Sequence, residues 1–185
     1  LSGFTVSNYG TGISIKISES QDLGKWQDLV INSGTSQQKN YGGYYNYITC
    51  NSSCFDGNLS GTLRNSTGNI CSSSTGSVTI SGLVEDCIGI DNCFASSTIG
   101  FATITGIVRR CKAGNNSFGY TSNNTFYSSI ISGTIEDCVA GNNSFGHGVN
   151  TTSLISGKIK GCTGLNYCFG YGLTNAEISG NIEDC

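Results

Sequence analysis

Charge is scarce in this chain. Only 11% of its 185 residues are Asp, Glu, Lys or Arg, and nine basic against twelve acidic residues leave a net charge of −3. So little charge excludes the highly charged class of disordered chains. So few Lys and Arg argue against a nucleic-acid footprint. Long apolar runs are missing too, which excludes a membrane-spanning helix. A single His and few carboxylates leave little material for acid–base or metal chemistry. What is present is enough apolar matter, 37% of residues, for the core of one ordinary domain, together with 27 Gly and 10 Cys.

The cysteines form no paired CxxC…CxxC zinc pattern, and the lone His147 cannot complete a Cys2His2 site. Ten cysteines therefore read as disulfides of an oxidising compartment. Sequons agree: N-x-S/T begins at Asn51, Asn58, Asn65, Asn115, Asn123, Asn142 and Asn150. Together they predict an extracellular or cell-surface protein carrying covalent N-glycans and no other cofactor. The opening Leu-Ser-Gly-Phe is no signal peptide, so either a signal preceded Leu1 or the chain is one segment of a longer one.

The dominant feature is self-similarity. Segments of the form [I/L]-[S/T]-G-x-[I/V/L] start at Leu59, Ile80, Ile104, Ile131, Ile155 and Ile178, separated by 21, 24, 27, 24 and 23 residues. Leu1-Ser2-Gly3 repeats the opening, and Ile31–Gly34 matches it with one insertion. Five residues beyond each motif Gly stands Ser66, Cys87, Cys111, Cys138, Cys162 or Cys185. Six residues further come Cys93-Phe94, Ser117-Phe118, Ser144-Phe145 and Cys168-Phe169.

Short β-branched runs, frequent Gly and a period of 21–27 residues predict an all-β fold, a parallel β-helix whose coils stack in register at about 4.8 Å. Right-handed is the expected hand of a parallel crossover. Leucine-rich and helical repeats lack their patterns here. The regular solenoid is expected over 57–185, with irregular coils or an interface or cap region over 1–56. Gln21–Ile31 reads as a short capping helix, although Gly24 weakens it.

In-register stacking makes like positions neighbours, which tests the alignment. Two residues before the Cys column the chain reads Arg64, Glu85, Arg109, Glu136, Lys160 and Glu183, alternating in sign at every step. Opposite charges there contribute about 0.2–1 kcal/mol per pair. The same alignment predicts aliphatic ladders of Ile80, Val84, Ile104, Val108, Ile131, Ile135, Ile155, Ile159, Ile178 and Ile182, and an aromatic ladder of Phe94, Phe118, Phe145 and Phe169. The Gly columns mark corners that need either positive φ or close packing.

These repeats resemble the parallel β-helix repeats of secreted and cell-surface proteins, including adhesin-like proteins with Gly-rich degenerate motifs. Such families include surface fibres, adhesins, phage tailspikes and polysaccharide lyases. The resemblance covers 57–185 well and 1–56 poorly, and the Cys-plus-Ser-Phe-Gly version matches no enzyme signature.

Spacing suggests disulfides 87–93 and 162–168 across one coil, 111–138 between adjacent coils, and 50–54 as a short loop. Cys71 and Cys185 are left as candidates for bridges between subunits. The alternative is a ladder of free buried Cys acting as small hydrophobes. Functionally, an extracellular filament subunit stacking head to tail with copies of itself is the leading expectation. A glycan-binding adhesin that meets surface polysaccharide through Tyr41, Tyr44, Tyr45, Tyr47, Tyr120–Tyr127 and His147–Thr152 is the second. No catalytic residue is expected: the acidic pairs Glu85/Asp86, Glu136/Asp137 and Glu183/Asp184, which a polysaccharide-cleaving enzyme would need, are accounted for by the charge ladder.

Overall fold

The computed structural model describes residues 2–6, 25–31, 39–55, 57–73, 76–122, 128–149, 152–172 and 175–185. Every described element is a strand, and all strand pairs are parallel, forming a β-solenoid with about five regular turns. Three sheets make its walls. The first contains Thr62–Arg64, Leu83–Glu85, Ile107–Arg109, Thr134–Glu136, Lys158–Lys160 and Asn181–Glu183, stacked in that order. The second stacks Gly57–Leu59, Val78–Ile80, Ala102–Ile104, Ser129–Ile131, Thr152–Ile155 and Asn175–Ile178. The third is short: Ser72–Ser73, Ser96–Ser97 and Tyr120–Thr121.

The register is the one the charge pattern requires. Glu85 pairs with Arg64 and Arg109, Glu136 with Arg109 and Lys160, and Glu183 with Lys160. Each coil feeds a residue from the first wall and one from the second into the interior. Ile80, Val84, Ile104, Val108, Ile131, Ile135, Ile155 and Ile159 are fully buried. In the last described coil Ile182 is partly buried and Ile178 is 48% exposed. The Phe ladder forms as expected, with ring centroids 4.8, 4.9 and 5.0 Å apart and planes within 12° of parallel.

The motif Gly owes its place to close packing rather than to positive φ. A Cβ at Gly82, Gly106, Gly133, Gly157 or Gly180 would overlap the carbonyl oxygen of the motif Gly one coil below. The bend between the strand pair and the Cys column instead puts Asn65, Asp86, Arg110, Asp137, Gly161 and Asp184 in the left-handed region, at φ of 46–60°. Asn, Asp and Gly tolerate that region best. Arg110 does not, and it is tied down by two contacts to Asp86, at 2.8 and 2.9 Å.

Lys25–Ile31 is a strand rather than part of a capping helix. It lies between Ser2–Val6 and Tyr44–Phe55 in the first sheet, paired parallel to both. It closes on the apolar, partly β-branched run Leu29-Val30-Ile31, which suits a strand, and Gly24 just before it weakens a helix. Residues 21–24 lie outside the described residues.

Candidate functional site

The side chains that could carry chemistry are arranged as columns running along the solenoid axis. In the charge column the ion pairs gather on Glu85. Its carboxylate lies 2.8 Å from Arg64 and 2.7 Å from Arg109, and it also meets Arg110. Burial alone would raise its pKa. The hydrogen bonds from Arg110 and Arg109 and the nearby charge of Arg64 outweigh this and hold Glu85 below the ordinary carboxylate range. Asp86 is held low in the same way, first by its hydrogen bond from Arg110. Further along, Lys158 reaches Glu183 at 3.5 Å. Glu136 has charge-opposite neighbours in register, yet among the described residues no cationic group lies within 4 Å of its carboxylate.

The cysteines depart from the expected bridges. Cys71, Cys87, Cys93, Cys111, Cys138, Cys162, Cys168 and Cys185 are free thiols, so 87–93, 162–168 and 111–138 are not formed. Cys50 is disulfide-bonded. Cys54, its expected partner, has a side chain outside the described residues. Cys71 is fully buried and unsuited to a bridge between subunits, whereas Cys185 is exposed. Burial raises the thiol pKa of Cys71, and pushes that of Cys93 up to about 12.

Two Cys/Ser columns with a shared hydrogen-bonding role explain the spacing that suggested bridges. In the first, each Sγ donates to the carbonyl two residues back in its own coil: Cys87 to Glu85, Cys111 to Arg109, Cys138 to Glu136, Cys162 to Lys160 and Cys185 to Glu183, at 3.1–3.3 Å. Ser66 does the same to Arg64 at 2.7 Å. In the second column Ser117 donates to Asn115 and Ser144 to Asn142, both at 3.2 Å. Cys168 donates to Asn166 at 3.5 Å and Cys93 to Ile90 at 2.8 Å, so Cys and Ser interchange there because either can donate, not because some coils are bridged.

A volume rule accompanies the alternation. Cys93 and Cys168 pack over Gly89 and Gly164, four residues earlier; a Cβ at Gly164 would lie 2.6 Å from the Cys168 Sγ, and one at Gly89 would overlap that of Cys93. Where the column holds the smaller Ser117 or Ser144, the matching residue is Ala113 or Ala140. The pairing is visible in the sequence once the column is aligned, but its meaning comes only from the contact.

Two further columns were not anticipated. Asp91, Asn115 and Asn142 each turn an Oδ1 to the backbone N–H of the next coil, that of Asn115, Asn142 and Asn166, at 2.6, 2.8 and 3.0 Å. Two residues after the Phe ladder, Tyr120, His147 and Tyr171 stack with centroids 5.5 and 5.1 Å apart. The recurring Phe-Gly-Tyr/His in the sequence is the signal for it. His147 is 3% exposed, its Nδ1 has no hydrogen-bond partner, and burial pushes its pKa down to about 4.

The sequons divide by these contacts. Asn115 and Asn142 use Oδ1 in the wall, which leaves Nδ2 for a sugar, and the Asn58 Oδ1 accepts from the backbone N–H of Thr79 at 2.8 Å. Asn65 uses Nδ2 to donate to Asn46 at 2.9 Å. Asn51 lies in the strand Tyr44–Phe55, with its side chain outside the described residues, as are Asn123 and Asn150. Of the expected glycan-contacting tyrosines, Tyr41, Tyr45 and Tyr120 are buried; Tyr47 is exposed.

No family model, no curated protein and no solved structure matches this chain. Its likeness to parallel β-solenoids rests on the repeat and on the fold.

Proposed function

We propose that this chain is a structural subunit of an extracellular, glycosylated surface fibre: a stiff rod of stacked coils that joins copies of itself head to tail. The observation that carries this reading is the unshifted register of the first wall: from Thr62–Arg64 to Asn181–Glu183 each strand pairs in parallel with its equivalent in the next coil, so one hydrogen-bonding pattern serves a following coil and a second copy alike. Two free thiol columns withdraw the cysteines as support for an oxidising compartment, so the sequons and the bonded Cys50 carry that part of the reading. A non-enzymatic role is supported by Glu85, whose engagement by three guanidinium groups opposes the raised pKa of a general acid.

Electron microscopy of purified material tests the assembly. Filaments are expected, and uniformly dispersed short rods would overturn it. Glycosidase treatment should lower the apparent mass of the native protein; an unchanged mass removes the glycoprotein reading.

A second reading, a carbohydrate-binding module, is favoured by one feature. Tyr167 and Tyr171 meet at 5.0 Å and are both exposed, a surface on which a sugar ring could stack. Glycan-array binding that disappears in Tyr167→Ala is its expected signature.

A further inference from the structure

The Cys column raises a question that hydrogen bonding does not answer. Ser performs the same role at Ser66, at one end of this column, and at Ser117 and Ser144 in the neighbouring one. Yet from Cys87 to Cys185 five consecutive coils carry a thiol without interruption. Their geometry is also uniform. Besides the bond within its own coil, each Sγ sits against a carbonyl of the coil before: Cys87 on Leu63, Cys111 on Val84, Cys138 on Val108, Cys162 on Ile135 and Cys185 on Ile159, at 3.7–4.0 Å. Five sulfurs with the same two contacts repeat with the coils themselves. The Phe ladder measures that repeat as 4.8–5.0 Å.

We propose that the column Cys87–Cys111–Cys138–Cys162–Cys185 is a binding site for a soft monovalent cation with a filled d shell, copper(I) being the biological member, held in line between the sulfurs of adjacent coils. A metal–thiolate bond is about 2.3 Å, so two in line span about 4.6 Å, close to the coil repeat. Thiolates select such ions over harder ones. Two-coordinate geometry needs no third ligand, and among the described residues no group of three or more His, Cys, Asp or Glu gathers to offer one. That disfavours tetrahedral zinc.

Binding is balanced by charge. Two thiols release two protons to solvent, and the monovalent ion joins the two thiolates in a unit of charge −1. Backbone N–H groups already point at the sulfurs that would carry that charge: Cys111 donates to the Cys138 Sγ at 3.4 Å and Cys162 to the Cys185 Sγ at 3.3 Å. Val84, Val108, Ile135 and Ile159 keep the neighbouring interior dry. Since each ion takes two of the five thiols, the column holds two ions.

The test is anaerobic titration of the reduced 185-residue protein with silver(I), a redox-inert probe, and with copper(I). Bound metal is counted by native mass spectrometry after exchange against a competing thiol, and its ligands are counted by X-ray absorption. The wild type is expected to retain two ions, each with two sulfur neighbours. C111S/C162S leaves Cys87, Cys138 and Cys185, no two in adjacent coils, and should lose both ions. C93S/C168S removes as many thiols from the other column and should keep both. C138S keeps the pairs 87/111 and 162/185 and should also keep both. Circular dichroism checks the fold of each variant. If C111S/C162S does not fold, C87S/C138S/C185S isolates the remaining two column thiols, with the same expected loss. A wild type that retains no metal, equal losses from the two double variants, loss of both ions in C138S, or three or more sulfur neighbours per ion would each overturn the proposal. None of these results depends on whether the rods polymerise.

Discussion

Two aromatic columns climb the same corner of the solenoid, two residues apart in each coil. Phe94, Phe118, Phe145 and Phe169 stack with nothing polar to satisfy, and the first three are fully buried. Tyr120, His147 and Tyr171 stack at similar distances, but the middle ring carries a sealed nitrogen without a partner. The spacing of both is imposed by the backbone ladders, so the columns differ only in chemistry. In a stacked coil a side chain's environment is set mostly by its equivalents above and below. One unsuitable residue is therefore met by two neighbours, and a suitable one is reinforced twice.

The sharpest break in that comparison is Phe118→Ala, which opens a hole between two rings. It should cost about 3–5 kcal/mol, read as a lowered denaturant midpoint, whereas Tyr171→Ala, at the 36% exposed ring of the other column, should cost clearly less.

The His147 column should respond to pH where the Phe column does not. The folded pKa of His147 lies near 4, below its ordinary value of 6.5, so the unfolded chain takes up the proton first. Stability from this group is complete above about pH 6.5 and falls as the pH drops towards 4. The loss should be on the order of 2 kcal/mol, since attraction of an imidazolium to the flanking Tyr faces offsets part of the penalty. His147→Phe should flatten the difference in stability between pH 7 and pH 4; an unchanged pH slope would contradict the sealed-ring account.

The two Cys/Ser settings extend the comparison to volume. Ser144→Cys sets a larger atom against Ala140 and should cost about 1–3 kcal/mol. Adding Ala140→Gly, which recreates the Gly89/Cys93 pairing, should recover most of it, a coupling that a double-mutant cycle measures directly.

The smallest effects belong to the charge column. Glu85→Gln, under three guanidinium groups, should cost about 1–2 kcal/mol, and Glu136→Gln at most about 0.5 kcal/mol. Equal effects on thermal melting would mean that register alone, rather than ion pairing, sets the worth of each rung. The Glu85 contribution belongs to its ionised form. It should hold above the ordinary carboxylate range and disappear as the pH falls below it.

Much of the architecture was legible in the sequence because a solenoid repeats its instructions. Alternation of Arg64, Glu85, Arg109, Glu136, Lys160 and Glu183 is a long-range register written in a local pattern. The Ile, Val and Phe columns follow from the same alignment. The free thiols were not legible, since a Cys six residues from another has the same spacing whether it bridges or packs. Only the side-chain directions, Cys87 towards the Glu85 carbonyl and Cys93 onto Gly89, separate the two. Tyr41 and Tyr45 read as a surface loop from composition, yet they pack edge to face at 6.2 Å inside the first coils.

Sequence by itself therefore determined the coil, its period and the neighbours each coil accepts, because like positions in stacked coils must tolerate one another. Tertiary structure decided what each column does. Whether a Gly serves conformation or close approach, whether a Cys bonds covalently or donates to a carbonyl, and whether a carboxylate meets one cation or three all depend on distances across coils. No single repeat contains those distances.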